Sequence, residues 1–285
     1  MTGLEQTGNR AKRRLPRGWF PAPAIQATAA LHIGGALALA PAHIEWRWVA
    51  GTLVANYGVI FAATLAPRSK LLGPNVVRLP PESAARGEVA LTFDDGPDPE
   101  VTPRVLDILE RHGAVGTFFC IGEHAAAHPA TVREIVARGH SAESHSQSHS
   151  LAFAAYGPWK LEREVARAQT AISDACGVTP HFFRSPYGPR SPMLDLVLAR
   201  EKLRYVSWSR RGYDAVDPDP ARVVKRLTSR LTAGDVLLLH DGASGPRRTA
   251  EPTVLRALPR LLRELDERGL RSVSLRAAFG VLANA

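Results

Sequence analysis

The sequence predicts an α/β protein whose larger, C-terminal part is a mostly parallel sheet covered by helices. From residue 88 onward, short apolar segments alternate with segments whose apolar residues recur at helical spacing. Polar clusters directly follow several of these apolar segments. Six or seven such βα units would form a barrel or an incomplete barrel, with functional side chains at the C-terminal ends of the strands.

The individual elements follow from local patterns. Residues 88–93 form a short apolar strand, and the next helix, 102–112, begins with Thr102 as its cap and Pro103 in its first turn. Aromatic and β-branched residues favour a strand at 115–121. The other predicted strands are a short third strand before His145, then 181–184, 204–208, 236–240 and 270–275; the other predicted helices are 131–137, 158–175, 191–201, 220–232 and 251–268.

Composition and charge exclude several classes of protein. Apolar residues make up 45% and charged residues 22% of the 285 residues, as in ordinary folded proteins. The two cysteines, Cys120 and Cys176, form no CxxC pair, which excludes a cysteine-built zinc site or an iron–sulfur cluster. The net charge of +9 arises mainly in residues 1–87, which carry ten Lys/Arg and three Asp/Glu. Since the rest is nearly neutral, we expect no nucleic-acid partner.

The N-terminal region has the pattern of a membrane anchor. Two runs without charged residues, 22–44 and 48–66, follow a basic segment at 10–17. A membrane-spanning helix needs about 20 apolar residues. Trp19, Trp46 and Trp48 fall at the predicted membrane–water interfaces. Two spans joined by a tight turn would form a helical hairpin, and the basic residues at both of its ends place those ends in the cytoplasm.

The predicted organisation therefore has four parts. These are a basic cytoplasmic segment (1–20), one or two transmembrane helices (21–67), a linker (68–85) and a globular domain (86–280). A single span is the alternative, as is a signal peptide in which Ala38-Leu39-Ala40 resembles a cleavage site. Either alternative would place the globular domain on the outer side of the membrane.

Two polar clusters predict a metal site. Asp94 and Asp95 end the first strand, and adjacent carboxylates repel each other unless a cation or a proton separates them. His145 and His149 are spaced i, i+4, which on a helical turn places both imidazoles on one face. Two histidines and a carboxylate form a known catalytic zinc set. The alternatives are a simple Asp-Gly-Pro turn and a surface histidine cluster.

Three further residues follow other predicted strands. His240 can act as a general acid near neutral pH, and Asp214 can orient it and raise its pKa. Arg184 can pair with Asp94, either as part of the site or as a structural ion pair. Together these residues fit the hydrolysis of an amide or ester by a metal-activated water, with a carboxylate base and a histidine acid.

Four ordered motifs show a family resemblance. TFDDGP at 92–97, HSQSH at 145–149, Arg184-Ser185-Pro186-Tyr187 and LLLHD at 237–241 resemble motifs of the NodB-homology polysaccharide deacetylases, carbohydrate esterase family 4. The resemblance covers roughly residues 86–276. It implies a distorted or incomplete (β/α) barrel that removes an N-acetyl or N-formyl group from an amino sugar with the help of a divalent metal.

The resemblance also implies roles for single residues. It makes Asp94 the general base, Arg184 the residue that orients it, and His240 the general acid oriented by Asp214. The metal ligands would be Asp95, His145 and His149, which suit zinc, with cobalt or nickel as alternatives. The backbone N–H of Tyr187 would help to hold the oxyanion. The family's fourth motif usually ends in Asp-Trp, but here Tyr213-Asp214-Ala215 departs from it, so a wall of the sugar site is expected to differ.

The membrane hairpin suggests the substrate and the location. Some members of the family act on an amino sugar attached to an undecaprenyl carrier at the inner face of the bacterial inner membrane. We therefore expect a lipid-linked amino sugar as substrate and a catalytic domain that faces the cytoplasm. The alternatives are a periplasmic or extracellular deacetylase of peptidoglycan or exopolysaccharide, and a catalytically silent sugar-binding protein.

Overall fold

The sheet of the globular domain is parallel throughout its main ladder. The computed structural model describes residues 18–39, 45–242 and 251–281. Within these ranges the strands are β1 (Glu88–Asp94), β2 (Gly116–Cys120), β3 (Ser141–Ser144), β4 (Phe182–Phe183), β5 (Arg204–Tyr205), β6 (Arg210–Arg211), β7 (Val236–His240) and β8 (Arg271–Ser272). Their order is β5-β4-β3-β2-β1-β7-β6, and β8 pairs with the start of β1.

Helices connect and cover these strands. Within the same ranges they are α1 (Pro23–Leu39), α2 (Trp46–Leu65), α3 (Pro81–Ala85), α4 (Val101–Arg111), α5 (Gly122–Ala127), α6 (Pro129–Ala137), α7 (Pro158–Cys176), α8 (Leu194–Arg200), α9 (Pro220–Thr228), α10 (Thr253–Glu267) and α11 (Leu275–Ala278). A short 3₁₀ helix covers Phe153–Ala155. The expected α/β class and incomplete barrel are confirmed.

The segment before β1 helps to close the barrel. Val76 forms an isolated parallel bridge with Val206, just beyond β5, and Arg78 forms an antiparallel bridge with Asp235, just before β7. Leu72 and Leu79 of the same segment are buried. Part of the predicted linker is therefore packed into the seam between the two ends of the ladder.

Alternation along β1 divides the core into an inner and an outer layer. Leu91 and Phe93 belong to the apolar cluster beneath the outer helices, whereas Ala90 belongs to the cluster that fills the barrel interior. Asp94 lies on the same side as Ala90 because successive side chains of a strand point to opposite faces. The apolar filling thus ends at a polar layer at the C-terminal edge of the sheet.

A buried carboxylate fixes the strands that carry part of this polar layer. Glu143 in β3 accepts hydrogen bonds from the backbone N–H groups of His181 and Phe182, at 2.7 and 2.9 Å. Its other oxygen lies 2.7 Å from Arg276 Nε in α11. A buried acid needs such partners to offset its lost hydration. Glu143 therefore holds β3, β4 and the C-terminal helix together, directly below the residues that leave these strands.

Several predicted elements have different bounds. The strands predicted at 181–184, 204–208 and 270–275 shorten to the two-residue strands β4, β5 and β8. Each of these strands has few pairing positions: β5 lies at the edge of the ladder, β8 pairs with the first two residues of β1, and β4 pairs with β3 through Ser144 and Phe183. The short elements α3, α5, β6 and α11 were not predicted, since their sequences are too short to show a period.

The two N-terminal helices form an antiparallel pair. Asn56 Nδ2 in α2 donates to Thr28 Oγ1 in α1 at 2.9 Å, and Tyr57 Oη lies 3.1 Å from His32 Nε2. Among the described residues, α2 alone is long and apolar enough to cross a membrane, whereas α1 has 17 residues. Residues 40–44, at the end of the first predicted span, lie outside the described residues. The predicted turn at 45–47 instead falls at the start of α2. Such a helix near the N-terminus is compatible with an anchor or with a signal sequence.

Candidate active site and metal centre

The structure brings the predicted side chains together at the C-terminal edge of the sheet. Asp94 and His240 end neighbouring parallel strands and are direct register partners. Asp95, His145 and His149 lie beside them, and all five side chains line one pocket of about 130 Å³. Tyr187 and Trp208 form further parts of its wall. The topology therefore gathers residues that are up to 146 positions apart in the sequence.

The HSQSH segment is a loop, so the helical turn predicted for it is wrong. Residues 145–149 follow β3 without helical structure, and Ser146 and His149 have positive φ values of 65° and 48°. The two imidazoles still converge, with ring centroids 4.8 Å apart. Backbone conformations of this kind are uncommon outside glycine and occur where surrounding structure enforces them, often at functional sites.

Asp95, His145 and His149 form a set of donors that could hold a metal ion. Asp95 Oδ1 lies 3.4 Å from His145 Nε2 and 3.1 Å from His149 Nε2. The ligand atoms of the three buried residues all lie within 4.8 Å of one another. His145 Nδ1 lies 2.9 Å from the carbonyl oxygen of Arg184, so Nδ1–H donates there and Nε2 faces Asp95. The residues present therefore fit a divalent metal.

Charges within this trio are strongly coupled. Burial alone would raise the pKa of Asp95, but hydrogen bonds from both imidazoles hold it well below its usual range. Burial opposes the charge of His145 too, yet the nearby carboxylates Asp94 and Asp95 raise its pKa. Burial lowers the pKa of His149. Because imidazoles bind a metal only when deprotonated, cation binding at this trio is coupled to proton release.

Arg184 fixes the orientation of Asp94. Its Nη1 lies 2.6 Å from Asp94 Oδ1 and 2.9 Å from Thr92 Oγ1. The guanidinium stacks on Phe119, 4.1 Å from the ring centre, and donates to the carbonyl oxygen of Ser207 at 3.0 Å. The side chain of Arg184 is fully buried. With Oδ1 bound in this way, Asp94 Oδ2 faces His145 Nε2 at 3.8 Å.

His240 and Asp214 form a second polar pair across the pocket. Asp214 Oδ1 lies 2.9 Å from His240 Nδ1, and Oδ2 accepts the backbone N–H of His240 at 2.8 Å. Burial would lower the pKa of His240, but the charge and hydrogen bond of Asp214 raise it to about 9. The imidazole is therefore protonated at neutral pH, with Nδ1 occupied and Nε2 left as the other proton-bearing atom.

Tyr187 lies at the mouth of the pocket. It follows β4 in the Arg-Ser-Pro-Tyr segment and has a positive φ of 59°. Its ring packs 4.5 Å from the ring of His149. Beyond it, Gly188 has a φ of 105° and lies so close to Trp208 and Pro67 that a Cβ would come within 2.9 and 3.0 Å of them. The loop therefore lies between His149 on one side and Trp208 and Pro67, just after α2, on the other.

Sequence reasoning missed four residues that build the site. His124 Nδ1 lies 3.0 Å from the carbonyl oxygen of Asp95, and Asp241 Oδ2 accepts a hydrogen bond from Thr102 at 2.6 Å beside the Asp95-Gly96 turn. Trp208 and Arg211 line the pocket together with Ala215, the position at which the family's tryptophan was expected. Asp241 was visible within the LLLHD motif, whereas the other three carry no local pattern that distinguishes them.

Comparisons with known proteins agree with this geometry. The polysaccharide deacetylase family model matches residues 82–206. The chain is 36% identical over 188 residues to a chitooligosaccharide deacetylase of Bradyrhizobium sp. (strain ANU 289), a match that covers 64% of this chain and 85% of that protein. The chain therefore belongs to the NodB-homology polysaccharide deacetylase family, carbohydrate esterase family 4. It is accordingly a carbohydrate deacetylase, a hydrolase.

Solved structures show the same fold. The Bc1960 peptidoglycan N-acetylglucosamine deacetylase matches with a TM-score of 0.66 at 29% identity, over 74% of this chain and 95% of that chain. A family 4 acetyl xylan esterase from Clostridium thermocellum, solved with a cobalt ion, matches with a TM-score of 0.61 at 30% identity, over 68% of this chain and 91% of that chain. The family model begins at residue 82, so α1 and α2 lie outside it.

We expect the trio to determine metal affinity. Replacing His149 by Gln should weaken Zn²⁺ binding by at least about a hundredfold, because one imidazole ligand is lost. Binding should also weaken as the pH falls, because the metal then competes with the proton on His145. Isothermal titration of the purified chain with Zn²⁺ measures both effects.

The control for this prediction is His140, a buried histidine outside the trio. Its ring accepts the backbone N–H of Gly116, and burial lowers its pKa to about 4. The His140→Gln variant should bind Zn²⁺ as the unmodified chain does. Equal affinities for the unmodified chain and the His149→Gln variant would contradict the metal-site interpretation.

We expect Asp214 to set the alkaline limit of activity. In the Asp214→Asn variant the pKa of His240 should fall from about 9, because the negative charge that raises it is gone. A general acid works only when protonated, so the alkaline limb of the kcat/KM profile should move to lower pH by about one to three units. The Asp217→Asn variant alters a nearby carboxylate that pairs with Arg222 and Arg226, and its alkaline limb should not move.

Proposed function

We propose that the protein hydrolyses the N-acetyl or N-formyl amide of an amino sugar in a lipid-linked glycan precursor. The supporting observation is the convergence of Asp94, the Asp95-His145-His149 trio and His240 on one pocket. Its volume of about 130 Å³ is far below the roughly 300–1,000 Å³ of sites that enclose a drug-sized ligand. The pocket therefore suits the acyl group, with the sugar lying outside on the protein surface.

Asp94 is the general base in this proposal. Arg184 binds Oδ1, which leaves Oδ2 directed towards the metal-binding side chains. A carboxylate held in this way can accept the proton of a water that lies between Asp94 and the trio. Because Arg184 is buried and bound to the carbonyl oxygens of Val206 and Ser207, just after β5, it holds Asp94 in this orientation.

The trio of Asp95, His145 and His149 would hold a divalent metal. Zinc suits this donor set, with cobalt or nickel as alternatives. When bound, the metal would polarise the acyl carbonyl and lower the pKa of the hydrolytic water. Peptide N–H groups can support the oxyanion that develops, and the backbone N–H of Tyr187 at the pocket mouth is the proposed donor.

His240 completes the reaction as the general acid. Asp214 binds Nδ1 and the backbone N–H of His240, which fixes the ring and leaves Nε2 to protonate the leaving amine. With its pKa raised to about 9, the imidazole carries the required proton at neutral pH. The acid therefore starts in the protonation state that amide hydrolysis requires.

The Asp94→Asn variant tests the reaction. Loss of the base should lower acetate release from chitooligosaccharides by about 10² to 10⁴-fold. Zn²⁺ affinity should change little, because the ligand trio remains. The Asp98→Asn variant is the matched control: Asp98 lies on the same loop but accepts the backbone N–H groups of Glu100 and Val101. Undiminished activity of Asp94→Asn would refute the mechanism.

We further propose that α1 and α2 form a membrane hairpin in the bacterial inner membrane. Both ends of the helix pair join the domain: Trp19 Nε1 donates to Asp195 Oδ2 at 2.9 Å, and the carbonyl oxygen of Thr64 accepts the N–H of Arg190 at 2.9 Å. The basic N-terminal residues favour a cytoplasmic position for these ends and hence for the catalytic domain.

A reporter fused after residue 285 tests this orientation. A cytoplasmic reporter such as green fluorescent protein should be active, and a reporter that needs export, such as alkaline phosphatase, should be inactive. The opposite pattern would rule out the hairpin. It would then favour a single span or a cleaved signal, with peptidoglycan or an exopolysaccharide as substrate. The proposed deacetylation chemistry is independent of this result.

A further inference from the structure

A second cleft lies between the end of α2 and the catalytic pocket. It encloses about 650 Å³, and its walls come from the residues after α2 and from the segment around β6. The lining includes Pro67, Trp208 and four arginines, Arg68, Arg210, Arg211 and Arg226. None of the described residues that line the cleft is acidic.

This cleft adjoins the catalytic pocket. Trp208 and Arg211 line both. Pro67, at the end of α2, packs against Gly188, the residue after Tyr187. A substrate whose acyl group occupies the catalytic pocket therefore has its next substituent within reach of the cleft.

Two of the four arginines are already neutralised. Arg210 pairs with Asp235 at 3.2 Å, and Arg226 pairs with Asp217 at 2.7 Å. Arg68 is exposed and forms no ion pair with any residue that the structure describes. Arg211 likewise has no carboxylate partner in the described ranges. Its Nε atom is buried and finds no hydrogen-bond acceptor there.

Arg211 is held in position by aromatic rings. Its guanidinium lies 4.7 Å from the ring centre of Tyr213 and 5.3 Å from that of Trp208. Stacking fixes the plane of the guanidinium but leaves its N–H groups to bind another molecule. The guanidinium has no anionic partner among the described residues, and a phosphate matches its fork of N–H donors.

The departure from the family's fourth motif affects the wall of the catalytic pocket near this cleft. Ala215 follows Asp214 where the family usually has tryptophan, and Ala215 lines the catalytic pocket next to Arg211. The small side chain replaces an apolar wall. A neutral glycan gains little from an unpaired guanidinium at this place, whereas a negatively charged substituent on the sugar would neutralise it.

We propose that this cleft binds a phosphate or diphosphate group on the amino-sugar substrate, with Arg211 as its main donor and Arg68 as a second cationic contact. The proposal rests on the deacetylase function proposed above and specifies its substrate class. Since the cleft begins where α2 ends, the phosphate that joins a sugar to a lipid carrier would lie at the membrane surface beside it. The substrate would then have to be made by an earlier reaction, a glycosyl-phosphate transfer that supplies the phosphorylated sugar.

Two matched substrates test the proposal. The methyl phosphodiester of N-acetylglucosamine 1-phosphate and the methyl glycoside of N-acetylglucosamine differ only in the phosphate. With the full chain, loaded with Zn²⁺ in a phosphate-free detergent, the phosphodiester should have a KM at least about tenfold lower than the glycoside. In the Arg211→Met variant this ratio should fall to near one.

The Arg222→Gln variant is the control for charge. Arg222 lies on the neighbouring helix α9 and outside the cleft, where it pairs with Asp217 and Asp219. Its variant should retain the KM ratio of the unmodified chain. A ratio near one in the unmodified chain, or equal losses in Arg211→Met and Arg222→Gln, would overturn the phosphate site while the deacetylase function stands.

Binding of pyrophosphate gives a readout that does not depend on activity. Its affinity, measured by titration calorimetry at constant ionic strength, should fall about tenfold in Arg211→Met but not in Arg222→Gln. This result would support the phosphate site even if neither sugar were hydrolysed. Failure to hydrolyse either sugar would refute the proposed deacetylase function and not the phosphate site. Added phosphatidylglycerol should not compete. Competition by this lipid would show that the cleft binds a phospholipid headgroup and would overturn the assignment to substrate.

Discussion

The active site depends on the buried ion pair between Arg184 and Asp94. A buried guanidinium is costly to dehydrate, and removing the partner of such a charge typically costs about 3–5 kcal/mol. Arg184 offsets this cost with its contacts to Asp94, Thr92, the carbonyl oxygens of Val206 and Ser207, and the face of Phe119. Its own carbonyl oxygen lies beside His145 Nδ1. One residue thereby orients both the proposed base and one proposed metal ligand.

The parallel pairing of the strands explains why a few polar contacts suffice to orient the side chains of the site. Asp94 and His240 end adjacent strands in register, and His145 follows β3 in the same sheet. Once the ladder forms, the side chains at its C-terminal edge are already close, and the polar contacts only fix their orientation. Glu143 has the equivalent role below the edge, because it joins β3 to the start of β4 and thus sets where Arg184 emerges.

The proposed membrane attachment and the proposed substrate depend on the same contact. The residues after α2 pack on Gly188, next to Tyr187, and they also form one wall of the arginine-lined cleft. An enzyme anchored in this way would present its pocket to sugars held at the bilayer surface. Anchoring and substrate choice would then be linked through one loop, since a shift of α2 would move both Tyr187 and the cleft.

The sequence alone determined the fold class and the residues that gather at the site. Alternation of apolar and helical segments predicts the parallel sheet, and the spacing of TFDDGP, HSQSH and LLLHD identifies Asp94, Asp95, His145, His149 and His240. These patterns are local, so they can be read without coordinates. The helical turn predicted for HSQSH was wrong, because the positive φ values of Ser146 and His149 depend on the neighbouring strands and loops.

Only the tertiary structure decided which side chains complete the site. His124, Trp208 and Arg211 belong to segments with no distinguishing pattern. The barrel brings distant loops together, so Trp208 and Arg211 line the pocket and His124 contacts the carbonyl oxygen of Asp95. Two-residue strands such as β4 and β6 exist only because a longer neighbour offers hydrogen bonds. The packing of the predicted linker into the barrel seam has the same cause. Each of these features depends on contacts between residues far apart in the chain, which local sequence patterns do not encode.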